Sequence, residues 1–473
     1  MVFSSIVFLL YFLPSFLLLY YVTPARFRNY TILIFSILFY SWGAPCFLPI
    51  LLIITGIDFF IVRLMYKEEH PHKRKILLAV SICINLGLLF YFKYSNFFID
   101  NVNTALDSMG YKSIKWIAVV LPIGISFFTF ETLTYSIDAY RKIITPLNKI
   151  TDYYLYILLF PKLIAGPIVR FNLIEDQITT RTITADDRLV GLYRFIIGLG
   201  KKVLIANIMG AEADRIFAVN PMELNSSMAW IGILAYTFQI YFDFSGYSDM
   251  AIGIGRMIGF RFPENFNNPY TSASISEFWR KWHMTLGMWM REYLYIPLGG
   301  NKVHSKARLF LNLWIVFLLS GLWHGASWNF VLWGAFHGVF LILDRLFLLN
   351  FLERSGKIVS TVITFIIVMI GWVLFRIEHV ESALLFYKKL FAFDFCPLEV
   401  KRNLEFYTAL VIAIFFSFFT CLPKGEVIQQ KIFFSAYTLK RSFLMGFASV
   451  LIFILSIAFI TSTGFNPFIY FRF

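Results

Sequence analysis

Apolar residues follow one another in blocks of about twenty, separated by short basic loops rather than by the polar faces of amphipathic helices. A block of that length carries a helix across about 30 Å of hydrocarbon. The first, MVFSSIVFLLYFLPSFLLLYYV, is too long for a signal h-region and has no small-residue cleavage site, so it reads as a retained span. Spans are predicted over 1–21, 30–41, 46–65, 76–98, 115–138, 190–209, 228–246, 308–323, 328–349, 357–375, 405–422 and 442–462. The fold class expected is an all-α polytopic membrane protein with about 11–12 transmembrane helices plus re-entrant or interfacial helices. No internal repeat or soluble domain shows, so 1–473 is expected to be a single membrane domain. It would hold N-terminal spans to residue 140, a core over 150–350 and C-terminal spans over 357–473.

Two stretches break the pattern. LLFPKLIAGPIVR (158–170) places Pro161, Gly166 and Pro167 in an apolar run. Such backbone loses helix hydrogen bonds and must be buried in protein or line a cavity, which favours a re-entrant loop over a kinked span. SISEFWRKWHMTLGMWMREYLYIPLGG (274–300) opens on a capping box, Ser274 with Glu277, and closes on Pro297, Gly299 and Gly300. Drawn as one helix, it carries Trp279, Trp282, His283, Leu286, Trp289, Met290 and Tyr293 on one side and Arg280, Lys281, Arg291 and Glu292 on the other. That predicts a helix lying flat at the inner interface or dipping inward, its basic side in the headgroups.

Composition agrees: 59% of the 473 residues are hydrophobic and 15% charged, against roughly 25% charged in soluble domains. The net charge of +14 is spread over inter-span loops, where anionic lipid and the insertion rule account for it and nucleic acid need not be invoked. Basic residues cluster in 63–75, 141–149, 301–308 and 422–441. Placing these loops inside puts the amino terminus and the LWHGASW turn outside. Cys46, Cys83, Cys396 and Cys421 have no metal or redox spacing and are expected to be buried structural residues.

The chemistry must come from ionisable groups in an apolar setting. His324 and His337 both fall in SGLWHGASWNFVLWGAFHG (320–338), and an ionisable residue within a span marks a functional site by default. For His337, near mid-bilayer, a structural hydrogen bond is the preferred reading, with Gly334 and Gly338 letting another helix approach. Asp243, Ser245, Tyr247, Ser248 and Asp249 make a polar island, for which Arg256 or Arg280 are expected partners. The chain has no H-x4-D, HExxH, GxSxG or Walker pattern, and no acidic pair with metal spacing. Gly253, Gly255 and Gly259 have the wrong spacing for a dinucleotide loop and read as helix packing, while His70 and His72 read as a solvated loop. Neither a metal site nor a protein nucleophile is expected; what remains is membrane-embedded histidine with buried carboxylates and amides.

Four long blocks, YFDFSGYSDMAIGIGRMIGFRFPENFNNPY (241–270), FWRKWHMTLGMWMREYLYIPLGG (278–300), 320–338 and NPFIYFRF (466–473), resemble membrane-bound O-acyltransferases, and more narrowly the alginate O-acetyltransferase branch. FFTFETLTYSIDAYR (127–141), FPKLIAGPIVR and GLGKKVLIANIM extend the resemblance over most of the chain; Glu131 and Lys162 are its small departures. The resemblance implies that His324 is the family's motif histidine and His283 its second; Trp323, Trp282, Asn329, His337 and the polar island are expected around the substrate tunnel beside them. It implies no bound cofactor and acetyl-CoA as co-substrate; Lys201, Lys202, Arg280, Lys281 and Arg291 are candidate contacts for its phosphates on charge alone, their ordinary role being topology and headgroup binding. It further implies a polysaccharide acceptor, reached through a periplasmic SGNH hydrolase-like partner, and residence among the lipids of the bacterial inner membrane. A lipid, protein or D-alanyl acyltransferase of the same family, or a transporter of an acylated carrier, are the alternatives.

Overall fold

The computed structural model describes residues 1–395, 403–434 and 437–464; the terminal NPFIYFRF block and Cys396 lie outside them. Secondary structure among the described residues is helical throughout, and the chain divides into two compact units.

The first unit holds residues 1–184 with 254–262. Its helices are α1 (Val7–Val22), α2 (Arg28–Gly43), α3 (Pro45–Lys67), α4 (Pro71–Ser108), α5 (Ile125–Tyr140) and α6 (Ile150–Leu158). An aromatic cluster of Phe3, Phe8, Phe12, Phe16 and Phe39 closes around Phe160. The expected span 115–138 is not one helix. Residues 111–122 are not helical: Asn103 of α4 pairs with the backbone of Ile114 and Asn96 with that of Val119. α5 is then buried almost along its whole length, and its polar residues find partners inside. Asp58 of α3 accepts from Ser81, Asn85, Ser136 and Tyr153, and Glu131 of α5 pairs with Lys162.

The broken segment after α6 has the form its prolines call for. A single turn, Phe160–Leu163, is followed by irregular backbone to residue 170, almost all of it buried in protein. A Cβ on Gly166 would stand 2.6 Å from the Lys162 Cα, so the chain can fold back only on glycine.

The second unit holds residues 185–253 and 263–473. Ala185–Gly200 runs through a π-helical turn, Lys201–Ala206, into Asn207–Phe217, together α7. Then come α8 (Ser226–Met257), α9 (Ile275–Lys281), α10 (Met284–Met290), α11 (Lys306–His324), α12 (Trp328–Ser355), α13 (Lys357–Arg376), α14 (Val380–Leu390), α15 (Leu404–Cys421), α16 (Gly425–Phe433) and α17 (Leu439–Thr463).

Among the described residues, seven helices are long and apolar enough to cross a membrane: α3, α4, α11, α12, α13, α15 and α17. This makes the chain a multi-pass membrane protein, with fewer such helices than the 11–12 expected. The expected spans over 190–209 and 228–246 fall in α7 and α8, which turn charged residues toward protein instead of presenting an apolar surface. α1 and α2 are shorter than a span. Cys46, Cys83 and Cys421 are exposed and unpaired rather than buried. Cys83 and Cys421 belong to apolar helices whose outward faces need no protein cover.

Candidate active site

α11 ends at His324, and a three-residue turn sends the chain back along α11 as α12. The two helices can approach because glycines meet at their crossing: a Cβ on Gly321 would come 2.2 Å from the Phe330 carbonyl oxygen, and one on Gly334 2.2 Å from that of Phe317. Gly334 thus does what was expected of it, whereas a Cβ on Gly338 would make only ordinary contact. His324 is buried among the rings of Trp323, Trp333 and Phe375. Its Nδ1 lies 2.7 Å from the Ser320 carbonyl. A carbonyl only accepts, so Nδ1 carries the proton and the lone pair stands on Nε2.

The capping box forms as written: Ser274 Oγ accepts from the Glu277 N–H at 3.1 Å, and the Glu277 carboxylate accepts from the Ala273 N–H at 2.8 Å. The single helix expected from there does not. It breaks at Trp282–His283, where His283 adopts a left-handed backbone (φ 44°) and α10 starts afresh. The cause lies in another segment: the backbone carbonyl of Asn265 takes the Met284 N–H, and its side-chain oxygen takes the Thr285 N–H. A non-glycine residue in this region costs of order 1–3 kcal/mol and persists only where its surroundings impose it.

His283 therefore leaves the helical face proposed for it and points to the same place as His324, their ring centroids 6.4 Å apart. It lies outside the seven spans. Burial, with His324 adding to it, holds the imidazole well below the ordinary histidine range. Its Nδ1 stands 3.1 Å from Asn265 Oδ1, and its buried Nε2 has no hydrogen-bond partner among the described residues.

His337, fully buried one ring further along, packs against Trp279, Trp333 and Phe336. Contrary to expectation, neither of its nitrogens is hydrogen-bonded among the described residues, because the cage around it is aromatic. Asn329 donates one amide hydrogen to the Ile377 carbonyl. Trp282 stacks with Phe278 and lies against Trp372.

The polar island is paired, but not with the arginines expected. Asp243 meets Lys202 at 2.6 Å, and Asp249 meets Lys201 at 2.6 Å and Arg194 at 2.9 Å. The reason is register: the π-helical turn of α7 turns two consecutive lysines toward α8. Lys202 is thus buried against Asp243, and Lys201 half-buried against Asp249, rather than both reaching outward. Ser248 accepts from Asn265 at 3.2 Å, and the hydroxyl of Ser245 is buried without a partner. Lys281 pairs with Glu277 at 2.8 Å, whereas Arg280 and Arg291 are exposed.

Reasoning from sequence overlooked Asn265, Arg194 and Glu264. Asn265 and Glu264 stand inside the PENFNNPY segment, and a polar pair just after a buried polar helix was the available signal.

Residues 123–380 match the model of the membrane-bound O-acyltransferase family. The chain belongs to this family. It is also 39% identical over 502 residues to a probable alginate O-acetylase of Azotobacter vinelandii, covering 100% of both chains. Against a peptidoglycan O-acetyltransferase of Helicobacter pylori it is 35% identical over 81% of this chain and 78% of that one. A teichoic acid D-alanyltransferase of Bacillus subtilis is 28% identical over 54% of this chain and 68% of its own length. As a membrane-bound O-acyltransferase, the chain carries both histidines of the site within the matched region.

Proposed function

We propose that this O-acyltransferase moves acetyl groups from cytoplasmic acetyl-CoA to hydroxyls of a cell-envelope or extracellular polysaccharide, with His324 as general base. The names of the relatives supply the substrate class; a protonated Nδ1 on the Ser320 carbonyl, putting the His324 lone pair on Nε2, supplies the chemistry.

Acyl transfer from a thioester requires that the attacking hydroxyl lose its proton as its oxygen closes on the carbonyl carbon. Nε2 of His324 takes that proton. The new C–O bond forms, the C–S bond breaks, and the proton passes to the departing thiolate, leaving an acetyl ester and free coenzyme A. An unperturbed imidazole titrates at about pH 6.5 and is the side chain suited to both transfers. General base catalysis of this kind contributes typically about 10²–10⁴-fold in rate. His283, with its own Nε2 unpartnered and its ring 6.4 Å away, serves as a second proton acceptor in the same apolar space. Trp323, Trp282, His337, Asn329 and the Asp243–Asp249 island form the surroundings in which the thioester is held.

On this reading the protein resides in the bacterial inner membrane, and the basic loops support an orientation with the WHGASW turn toward the outside. The acceptor is then met on the outer face, through a periplasmic SGNH hydrolase-like partner. Purified protein given acetyl-CoA labelled in the acetyl group tests the reading. Transfer of label to a hydroxyl, or its slow hydrolysis with release of thiol, is expected. Vectorial movement of an acylated carrier with its bond intact would make the protein a transporter instead.

A further inference from the structure

Asn265 is almost fully buried, and its side-chain oxygen, side-chain nitrogen and backbone carbonyl are all engaged. Its Oδ1 faces three groups: Nδ1 of His283 at 3.1 Å, Oγ1 of Thr285 at 2.9 Å and the Thr285 backbone N–H at 3.4 Å. Its Nδ2 donates to Ser248 Oγ at 3.2 Å, and its backbone carbonyl accepts from Met284 at 2.9 Å. The Thr285 N–H can only donate, so the oxygen of the amide must be the atom turned toward it. The same oxygen faces the imidazole, which therefore brings a proton to that contact.

The segment bearing Asn265 is itself clamped. Its neighbour Glu264 is held by Arg194, whose guanidinium also grips Asp249 of α8. Asp249 follows Ser248, and Glu264 precedes Asn265. Two successive rungs thus join α8 to this segment, one ionic and one neutral, beside His283.

We propose that Asn265 is the positioning residue for His283: it imposes the left-handed turn that aims the ring and fixes the Nδ1–H tautomer, so that Nε2 serves as a proton acceptor and not as an oxyanion donor. This rests on the acyl-transfer function proposed for the site. The titratable group facing His283 is His324, and Asn265 is the neutral group that decides its tautomer.

The experiment compares Asn265→Leu, Asn265→Asp and His283→Ala in the full-length protein, purified in detergent and assayed for acetyl transfer or thiol release from acetyl-CoA across pH. Asn265→Leu, which removes the acceptor, is expected to lower kcat by about 10²-fold with KM for acetyl-CoA little changed, as a misplaced catalytic group does. Asn265→Asp keeps the acceptor and restores most of the rate. The carboxylate against Nδ1–H favours imidazolium, so the acid limb of its kcat profile moves to higher pH.

If His283→Ala abolishes activity while Asn265→Leu stays within two-fold of the wild type, the positioning role is wrong and the acyl-transfer reading stands. Equal losses in the Leu and Asp variants, with the pH profile unmoved, would reduce Asn265 to a packing role and also overturn the proposal. Full activity in His283→Ala would sink the role given to His283 and this inference with it. Should Asn265→Leu fail to fold, the pH profile of Asn265→Asp decides.

Discussion

Gly321 and Gly334 meet backbone to backbone where α11 crosses α12, one helical turn before His324: a Cβ on Gly334 would lie 3.4 Å from the Gly321 Cα and 2.2 Å from the Phe317 carbonyl oxygen. Neither obstacle is a movable side chain, so any added atom must part the helices.

Gly334→Ala is therefore expected to destabilise the protein by about 1–3 kcal/mol, as overpacking does, and to lower activity further by displacing the His324 ring. Gly338→Ala, whose Cβ would meet only ordinary contacts at 3.6 Å and beyond, is the control and should leave both within two-fold. Melting temperature and acetyl transfer of the two variants check this.

Glu131 and Lys162 neutralise each other in the first unit, with the Lys162 ammonium 4.7 Å from the centre of the Tyr156 ring. Both side chains are almost wholly inaccessible. Removing one charge leaves the other buried and unpaired, which costs about 3–5 kcal/mol, whereas replacing both with apolar residues of similar size is close to neutral. Lys162→Met should lower the melting temperature sharply, and Glu131→Leu added to it should recover most of the loss. Additive losses in the double variant would contradict the pairing.

Of the five cations expected at the nucleotide of the donor, Lys201, Lys202 and Lys281 are held by Asp249, Asp243 and Glu277. Arg280 and Arg291 are the exposed ones. Arg280→Ala is expected to raise KM for acetyl-CoA several-fold, with a weaker effect in high salt and kcat unchanged, because exposed charges act at a distance and are screened. Asp243→Asn, by contrast, should be read out in stability, since it removes the carboxylate that the buried Lys202 meets at 2.6 Å.

Hydropathy was legible wherever a helix faces lipid on one side at least: α3, α4, α11, α12, α13, α15 and α17 stand where the apolar blocks put them. It failed where the apolar environment is protein. The span expected over 115–138 is helical only from Ile125 on, because Asn96 and Asn103 supply hydrogen bonds that a hydropathy profile cannot see. The site shows the same division. His324 was visible as a histidine in a greasy run, and the Ser274–Glu277 cap as a local pattern. The turn at His283 was not, since its cause is Asn265, eighteen residues earlier. Glu131 and Lys162 each stood out alone, and only the fold shows them to be one feature.

The most direct test of the central claim is acetyl transfer by His324→Ala, measured on protein shown to be inserted and folded by its melting temperature. Loss of at least about 10²-fold in kcat is expected from removal of the general base. Activity within a few-fold of the wild type would remove His324 from the chemistry.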